Sequence, residues 1–420
     1  MSQNSEALKF DKYVYDSVHG NIGLTETELG IIDSPIFQRL HRIRQLGVAD
    51  LVYPGATHTR FAHSLGAMFV MNEYLERVTR DGKPIAVDAD TKQKLRLAAL
   101  CHDIGHYPFS HALEFPIQNH FKCLDHEKQG YRIIMEILKD YLETYKSQEI
   151  LDIMKKSVTN NVYPLLISSD FDVDKLDYLM RDSFQTGVAY GNVDSDRLLR
   201  TLSFDAQGTI VFEKPGPVIE NFLLARYHMF QAVYYHKTVL AFNVMMEKIY
   251  EQLVEAGEIV HPKDITTSTD EWMLARFDDD CVWQAMHHYL SLKKGDYTSV
   301  LIEAIFRRDP LALPIPVALP ADQGTEPAEY NKVRVLKHFD QKRKELAKCC
   351  GVPQEWILPC LTPKPISMLP DDVSVLIKHD NNPVNIQDDS ALIFKRLGPI
   401  KFYVAGIYCK SEYSDSIRTN

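Results

Sequence analysis

Histidines, which bind metal ions and transfer protons near neutral pH, are concentrated in one part of this 420-residue sequence. The excess lies between residues 58 and 126, well above an even spread of the 16 histidines. Its members are His58, His63, His102, His106, His111, His120 and His126. This concentration indicates where chemistry is to be sought.

The adjacent residues His102 and Asp103 follow an apolar stretch with helical spacing. Neighbouring residues on a helix diverge by about 100°, so these two side chains can approach one ion from two sides. His106 lies one turn further along the same face, and Gly105 and Pro108 are predicted to end the helix. A His-Asp pair alone is also compatible with a histidine that makes a hydrogen bond in the core.

A second polar pattern consists of Asp174, Tyr178 and Asp182, which are spaced four residues apart. They share one face of a predicted helix, with Lys175 beside them and apolar residues on another face. A pocket-lining stripe and a solvated charged face both fit this pattern. Arg226, Phe230 and Tyr234 repeat the spacing, and they also fit core packing with an arginine whose charged end reaches water.

Two histidines and two aspartates would form a mixed set of nitrogen and oxygen ligands. Such a set suits iron, manganese, zinc or nickel better than copper. An ion with open positions lowers the pKa of bound water toward neutrality. Basic residues near it would hold a phosphate-bearing substrate.

The elements that must position these residues are predicted to be mainly α-helical. Alternating apolar residues in the first 30 positions indicate a short N-terminal β-hairpin, and helices are predicted at 61–78, 91–104 and 332–350. Ser34 and Pro35 are typical of a helix start. The proline-rich residues 309–329 are predicted to form a loop, and strands are expected at 373–377, 391–394 and 401–408. We therefore expect a large helical domain over 1–260 and a smaller α+β region over 261–420.

Composition and charge argue against a membrane protein, a disulfide-stabilised protein and a protein with a broad nucleic-acid surface. With 45% hydrophobic and 25% charged residues, the chain is typical of a globular protein. No segment is predicted to be a signal peptide or a membrane span, so a cytoplasmic location is expected. The seven cysteines show no metal or disulfide spacing and are expected to stay reduced. A net charge of −10 argues against a broad nucleic-acid surface.

In its motifs the sequence resembles the HD superfamily of metal-dependent phosphohydrolases, and more closely the HD-domain deoxynucleoside triphosphate triphosphohydrolases. The resemblance covers residues 13–237, more than half of the chain. It is carried by residues 16–20, 37–40, 44–47, 53–55, 60–66, 102–111 and 172–182.

The resemblance implies a helical HD core and one divalent transition metal (Fe, Mn, Zn or Ni) per subunit, with additional Mg accompanying the triphosphate. The implied metal ligands are His63, His102, Asp103 and Asp174. The implied reaction converts a dNTP, such as dGTP, into a deoxynucleoside and inorganic triphosphate. Metal-activated water attacks the α-phosphorus, and the 5′-oxygen leaves with a proton.

The resemblance also assigns roles to other residues. His111 and His126 align with candidate general acids, and His106 aligns with a supporting histidine. The residues aligned with substrate contacts are Arg60, Lys175 and Arg226 for phosphate, Tyr178 and Asp182 for sugar or phosphate, Gln45 and Leu46 for the 3′ side of the sugar, and Tyr234 for the 2′ position. Crowding there would exclude ribonucleotides, because a 2′-hydroxyl would find neither room nor a partner.

Related enzymes form homotetramers that bind a regulatory nucleotide between subunits, and here that match is partial. Lys12, Asp33 and Gln38 occupy positions of regulatory contacts, whereas His41 stands where an arginine would bind the nucleotide. We expect a homo-oligomer, either a dimer or a tetramer, and a nucleotide activator is compatible with the sequence.

Two other functions remain open at this point. One is hydrolysis of another nucleotide, either a monophosphate, an alarmone or a cyclic nucleotide, by the same kind of metal site. The other is a nucleotide-binding regulator with little turnover. The Gln45, Leu46 and Tyr234 pattern favours the dNTP triphosphohydrolase, because it suits a deoxyribose site.

Overall fold

The computed structural model of this chain describes residues 8–80, 82–85, 87–142, 145–155, 162–205, 209–212, 216–292, 295–320, 328–362, 364–367, 375–379, 382–386, 388–389, 392 and 401–419. The fold is mainly α, as predicted. A short hairpin precedes the helices and an α+β region follows them.

Strands β1 (Lys12–Asp16) and β2 (Gly20–Leu24) form the predicted antiparallel hairpin. Its second strand alternates between inward and outward positions, and Ile22 and Leu24 are buried. Tyr15 on the first strand is 83% exposed. The hairpin therefore packs one face against the core.

Nine helices between residues 26 and 186 of the described chain surround the histidines. They are α1 (Glu26–Ile32), α2 (Pro35–Gln38), α3 (Arg60–Arg77), α4 (Ala89–Cys101), α5 (His111–Phe115), α6 (His126–Glu136), α7 (Ser147–Met154), α8 (Tyr163–Ile167) and α9 (Val173–Thr186). Helix α3 contacts both α4 and α9, and these three helices form the scaffold of the site.

The predicted helix positions in this part are confirmed. Ser34 caps α2 through a hydrogen bond from the Phe37 amide to its Oγ, and Pro35 occupies the first helical position. Helix α4 ends at Cys101, three residues earlier than predicted, because the chain turns over residues 102–105.

The later helices are α10 (Ser195–Thr201), α11 (Pro217–Met229), α12 (Lys237–Glu255), α13 (Pro262–Thr266), α14 (Glu271–Ala275), α15 (Asp279–Ser291), α16 (Tyr297–Phe306), α17 (Ala328–Cys350) and α18 (Ser414–Arg418). The helix predicted at 332–350 is confirmed as the main part of α17. None of the helices among the described residues combines the length and the apolar character that a bilayer crossing requires.

The remaining strands form two sheets. They are β3 (Thr79–Arg80), β4 (Lys83–Pro84), β5 (Leu202–Phe204), β6 (Ile210–Phe212), β7 (Ala312–Pro320), β8 (Ile357–Leu361), β9 (Ile366–Ser367), β10 (Leu376–His379), β11 (Asn382–Asn385) and β12 (Lys401–Cys409). One sheet has the order β11-β10-β6-β5-β3-β4, and the other has the order β7-β12-β8, with β9 also paired to β12.

The predicted strand at 401–408 is confirmed as β12, and that at 373–377 overlaps β10. Residues 373 and 374 lie outside the described residues, as do 391, 393 and 394 of the third predicted strand.

The prediction of a loop over 309–329 is wrong for residues 312–320, which form β7. This strand pairs only with β12 in the described sheet, with Pro316 opposite Gly406 and Pro320 opposite Phe402. Proline has no N–H to donate to a neighbouring strand. An edge strand tolerates it where that N–H would have pointed to solvent. Residues 321–327 lie outside the described residues.

One hydrophobic core extends from Ile22 in the hairpin to Tyr408 in β12. A smaller cluster lies under the second sheet and includes Leu346, Ile357 and Ile407. The domain boundary at residue 260 stays a prediction. All seven cysteines lie among the described residues, and none of them forms a disulfide.

Candidate metal centre and active site

The four residues predicted as metal ligands come together, although they lie on three helices. His63 is on α3, His102 and Asp103 follow α4, and Asp174 is in the first turn of α9. His63 Nε2 lies 3.2 Å from His102 Nε2 and 3.1 Å from Asp174 Oδ1. The two oxygens of Asp103 lie 3.4 Å from His63 Nε2 and His102 Nε2, respectively.

Local sequence explains the position of Asp174. Asp172 caps the N-terminus of α9, because its Oδ1 accepts the Lys175 amide at 2.7 Å. The helix therefore begins at Val173, and the next residue projects toward α3 and α4.

The second ring nitrogen of each histidine ligand is already hydrogen-bonded. His63 Nδ1 lies 2.7 Å from Asp177 Oδ2, and His102 Nδ1 lies 2.7 Å from the Ala99 carbonyl oxygen. Donation from both Nδ1 atoms leaves the two Nε2 atoms facing each other. Such outer hydrogen bonds are typical of metal-binding histidines.

Asp177 is itself fixed by several donors. It accepts hydrogen bonds from Arg181 Nε at 2.9 Å and Arg181 Nη2 at 3.0 Å, and it contacts His19 Nε2 at 2.6 Å. Arg181 also donates hydrogen bonds to both carboxylate oxygens of Asp16, at the end of β1. The N-terminal hairpin therefore supports the metal-ligand helix through a buried charged network.

The electrostatics of the four residues favour a positive charge at their centre. Burial opposes a charge on His63, but hydrogen bonds to Asp174 and Asp177 outweigh this effect and raise its pKa to about 10. Burial would also raise the pKa of Asp103, but the Arg60 and His102 charges hold that pKa well below its usual range.

These residues fit a divalent metal ion. Ligands about 2.1 Å from one ion stand roughly 3.0–3.5 Å apart in tetrahedral or octahedral geometry. The 3.2 Å and 3.1 Å separations from His63 to His102 and Asp174 agree, whereas Asp103 approaches the two histidines but is not part of the close group that they form with Asp174. Two Nε2 atoms 3.2 Å apart are unfavourable unless a positive charge, either a proton or a metal ion, lies between them. The donor set of nitrogen and carboxylate oxygen suits Fe, Mn, Zn or Ni, as expected from the sequence.

The three other histidines predicted to act in the reaction form a second cluster next to the ligands. His106 and His126 are stacked with ring centroids 4.1 Å apart, and the His111 centroid lies 5.0 Å from that of His106. His106 Nε2 also lies 3.4 Å from Asp103 Oδ1, which joins the two clusters.

Glu114 holds this second cluster together. Its Oε2 lies 2.8 Å from His111 Nδ1, and its Oε1 contacts His126 Nδ1. Helix α6, which carries His126, packs against the turn at Gly105 because this residue has no side chain. A Cβ there would lie 2.1 Å from the His126 carbonyl oxygen.

The ring orientations in the second cluster do not suit the binding of another metal. Its ligating atoms lie within 4.8 Å of one another, but the His106 and His126 rings are inclined by only 15°. A ring nitrogen binds metal in the plane of its ring, and two stacked parallel planes do not meet at one ion.

The pKa values of the histidines in this cluster are shifted in different directions. Burial lowers the pKa of His106 well below its usual value, and the Arg60 and His126 charges lower it further. Burial also disfavours the charged form of His126, but the hydrogen bond and charge of Glu114 outweigh it and raise that pKa. The pKa values of the two stacked histidines are therefore shifted in opposite directions. The His111 side chain is 57% exposed.

Each of the three cations predicted to hold phosphate is paired with a carboxylate. The pairs are Arg60 with Asp103, Lys175 with Asp172 and Arg226 with Asp170. Burial raises the pKa of the Tyr178 hydroxyl overall, although the charges of Lys175 and Arg226 both act to lower it, so both cations lie near this hydroxyl.

The residues predicted to contact the sugar form a compact buried group. Asp182 accepts a hydrogen bond from the Tyr234 hydroxyl at 2.8 Å, and its other oxygen lies 2.6 Å from His58 Nε2. The Tyr178 and Tyr234 rings lie edge to face, 6.0 Å apart. Tyr234 ends a π-helical turn (Phe230–Tyr234) after α11, so it does not continue one α-helical stripe from Arg226. Such turns are frequent at functional sites.

Gln45 and Leu46 lie in the turn before α3. The Gln45 amide donates to the His58 carbonyl at 3.1 Å, which ties this turn to the sugar group. Leu46 packs partly against the core. Within the described chain, the buried Gln45 Oε1 has no hydrogen-bond partner and is available to a ligand.

Two of the three predicted regulatory residues share a pocket. Asp33 and Gln38 line it with Pro35, Arg42, Trp272, Ala275 and Arg276. Lys12 is not among its lining residues and begins β1 instead. The regulatory role of all three stays a prediction.

Sequence reasoning missed the residues that hold the functional groups in place. Asp177, Glu114 and His58 are the most important of them. Asp177 lies three residues after Asp174 and four before Arg181, a helical spacing that indicates an ion pair on the ligand helix. Glu114 lies three residues after His111, which is a comparable signal.

Comparison with known families gives two matches that together cover most of the chain. Residues 60–181 match the HD domain, and residues 193–420 match the HD associated region. The first match contains all four predicted metal ligands.

Individual proteins show the same relationship. An uncharacterized protein of Methanocaldococcus jannaschii is 38% identical over 264 residues, which cover 60% of this chain and 53% of that protein. A deoxynucleoside triphosphate triphosphohydrolase SAMHD1 homolog of Dictyostelium discoideum is 28% identical, over 61% of this chain and 54% of that protein. The chain thus spans little more than half the length of these two relatives.

Among solved structures, a phosphohydrolase from Bacteroides thetaiotaomicron superimposes with a TM-score of 0.76 and 26% identity. That match covers 95% of this chain and 99% of the other.

Proposed function

The chain belongs to the HD-domain family with an HD-associated region, and from this premise we propose that it hydrolyses dNTPs to a deoxynucleoside and inorganic triphosphate. The observation that carries the proposal is a group of residues able to hold a metal, next to two histidines bound by one carboxylate. Two partly buried tyrosines lie nearby: Tyr178 is on the same helix as Asp174 and Asp182, and Tyr234 is in contact with Asp182. A related chain is named as a homolog of a deoxynucleoside triphosphate triphosphohydrolase, and this supports the same substrate class.

His63, His102, Asp103 and Asp174 would hold the divalent ion. When bound, such an ion supplies an activated water and polarises a phosphoryl oxygen. The hydrogen bonds that His63 and His102 donate to Asp177 and to the Ala99 carbonyl keep the two imidazoles oriented toward it. Arg60 stabilises the Asp103 carboxylate in its charged form.

His126 would donate the proton that the leaving 5′-oxygen needs. Glu114 raises its pKa, which favours the protonated form that a proton donor needs. His106 stays neutral and stacks on it, between His126 and the metal ligands. His111 shares Glu114 and is the second candidate for the acid.

The substrate would lie with its triphosphate near Arg60, Lys175 and Arg226, and additional Mg would accompany it. Asp182 and Gln45 offer polar groups for the 3′-hydroxyl, with Tyr178 and Leu46 beside them. Tyr234 would occupy the space of a 2′-hydroxyl. A polar 2′ group would then lose water without gaining a partner.

The pocket that contains Asp33 and Gln38 supports a regulatory nucleotide site, with Trp272 available for stacking on a base and two arginines for phosphate. An oligomeric enzyme with a nucleotide activator would follow. Its location in the cytoplasm is likewise part of the proposal.

Product analysis tests the proposed function. The purified chain is incubated with each dNTP, with and without GTP or a second dNTP, and the products are separated by anion-exchange chromatography. Release of triphosphate and deoxynucleoside in equal amounts is expected. Release of pyrophosphate or monophosphate would instead indicate hydrolysis at another bond, and tight binding without products would indicate a regulator.

A further inference from the structure

A single carboxylate outside the HD-domain match touches two loops of the active site. Asp279 is the first residue of α15, and it is 3% exposed. Its Oδ1 accepts the Phe109 amide at 2.6 Å, and its Oδ2 accepts the Arg44 amide at 2.9 Å. Both oxygens are therefore used by backbone donors that lie 65 residues apart in the chain.

The first of these loops leads to the histidine cluster. Phe109 and Ser110 have φ angles of +55° and +52°, in the left-handed region that residues with a side chain rarely adopt. His111 follows directly and begins α5. Two such residues in succession persist only where the surroundings hold them, and Asp279 supplies a buried acceptor at the first of them.

The second loop carries the residues proposed to read the sugar. Arg44 precedes Gln45 and Leu46, so the amide bound by Asp279 sets where this turn begins. Gly47 in the same turn has a φ of +56°, and a Cβ there would lie 2.9 Å from the Phe109 carbonyl oxygen. The two loops are therefore in direct backbone contact.

A further hydrogen bond joins the loops to the metal ligands. Ser110 Oγ donates to the Arg44 carbonyl at 2.7 Å and accepts from Arg60 Nε at 2.9 Å. Arg60 in turn contacts Asp103. A shift of either loop would be transmitted to the guanidinium that holds the metal-ligand carboxylate.

The segment that carries Asp279 is itself held firmly against the HD domain. Arg39 donates to the Phe277 carbonyl at 3.0 Å and to the Ile104 carbonyl at 2.7 Å. Arg42 pairs with Asp278 at 2.5 Å. Asp279 is thus presented from a fixed segment, as a positioning group requires.

We propose that Asp279 is a positioning residue through which the HD-associated region sets the relative placement of the histidine loop and the sugar-binding turn. This inference rests on the proposed function for the roles of the two loops. It gives the associated region a part in turnover, although that region contains none of the predicted catalytic residues and only Arg226 and Tyr234 of the predicted substrate contacts.

The test compares Asp279→Asn with Asp280→Asn. Asp279→Asn keeps the shape of the side chain but directs an amide donor at one of the two backbone N–H groups. Asp280 is the next residue and is exposed, so the same substitution there is the matched control. Thermal denaturation of both variants verifies that they are folded.

Three kinds of measurement are made. Kinetics give kcat and KM for dNTP hydrolysis, mass spectrometry gives the metal content, and hydrogen exchange reports on the segments 40–48 and 105–115. Asp279→Asn is expected to lower kcat by about 10- to 100-fold, as expected for a small misplacement of reacting groups. KM and metal content should change little, and one or both segments should exchange faster. The control should match the original protein throughout.

Two results would overturn the inference. Unchanged kcat and unchanged exchange in Asp279→Asn would show that the carboxylate does not hold the loops. A loss of activity that follows a loss of metal would place its effect at the metal centre instead. If the original chain released no triphosphate, the proposed function would fail, while the exchange data would still decide whether Asp279 holds both loops.

Discussion

At the scale of single residues, each proposed reacting group is held by a neighbour that sets its charge and direction. Asp177 accepts a hydrogen bond that orients His63. Glu114 contacts both His111 and His126. Asp182 is hydrogen-bonded to His58 and to the Tyr234 hydroxyl. These buried contacts leave selected atoms facing a common space. The predictions at this scale remove one such atom or contact at a time.

Asp174→Ala removes one of the four proposed ligands. The chain should lose most of its bound metal, and turnover should fall by about 100-fold or more, since even groups outside the first ligand shell contribute 10- to 100-fold. Metal per chain is measured by mass spectrometry beside triphosphate release. Asp280→Ala, an exposed site, is the control. Full metal load with full activity would refute the assignment.

Tyr234 combines a bulky ring with a hydroxyl that donates to Asp182. Tyr234→Ala should admit ribonucleotides, lowering the preference for dGTP over GTP by about tenfold or more. Tyr234→Phe keeps the ring and should keep the preference, because crowding rather than the hydroxyl excludes the 2′ group. Competition assays with both nucleotides measure the ratio, and an unaltered ratio in the alanine variant would contradict this role.

The pKa of His126 predicts the pH dependence of turnover. A proton donor acts in its protonated form, which is present below its pKa and is lost as pH rises through that value. Glu114→Gln removes the charge that raises the His126 pKa. The alkaline decline of kcat should therefore begin at lower pH, and kcat itself should fall by about 100-fold.

The control for this pH experiment is Glu127→Gln, which changes an exposed acid next to His126. Its pH profile should coincide with that of the original chain. If the alkaline limb of Glu114→Gln also coincided with it, His126 would not be the titrating acid.

At the scale of elements, the proposed metal centre depends on the close approach of α3 and α9. Gly66 makes this approach feasible, because a Cβ there would lie 1.9 Å from Asp177 Oδ1 and 2.3 Å from Arg181 Nη2. Both groups belong to the buried network behind His63. The spacing of the two helices is therefore coupled to the orientation of a ligand.

Gly66→Ala should push Asp177 away from His63 and weaken metal binding by about 10- to 100-fold. Gly30→Ala in α1 is the matched control, since its Cβ would meet nothing within 4 Å and alanine favours helix by about 1 kcal/mol. Competition for the metal with a chelator gives the affinity. Equal affinities in the two variants would contradict the coupling.

The strength of a local signal decided which elements could be predicted. Helices α3 and α4 have apolar residues at helical spacing, and Ser34 and Pro35 mark the start of α2. Strand β7 has no such signal, because its prolines are typical of loops and its partner β12 lies some 80 residues later. Pairing over that distance follows from tertiary structure.

The same distinction applies to the site. The motifs around His63, His102 and Asp174 indicated the ligands, and the structure brings them within reach of one ion. The contacts of Asp279 and His58 join residues that are far apart in sequence and have no motif of their own. Such supporting contacts depend on how α9 and α15 pack, which no local pattern specifies.

At the scale of the whole molecule, one core joins the hairpin, the HD helices and the associated region. The hairpin supports Asp177 through Asp16 and Arg181, and α15 supports two active-site loops through Asp279. The centre of the proposed reaction is thus enclosed by elements from both ends of the chain. Its geometry should depend on the whole described fold rather than on the HD match alone.

The most direct test of the account is hydrolysis of a dNTP in water enriched in oxygen-18, with the products analysed by mass spectrometry. Attack on the α-phosphorus predicts one labelled oxygen in the released triphosphate and none in the deoxynucleoside. Label in the 5′-hydroxyl of the deoxynucleoside, or release of pyrophosphate in place of triphosphate, would contradict it.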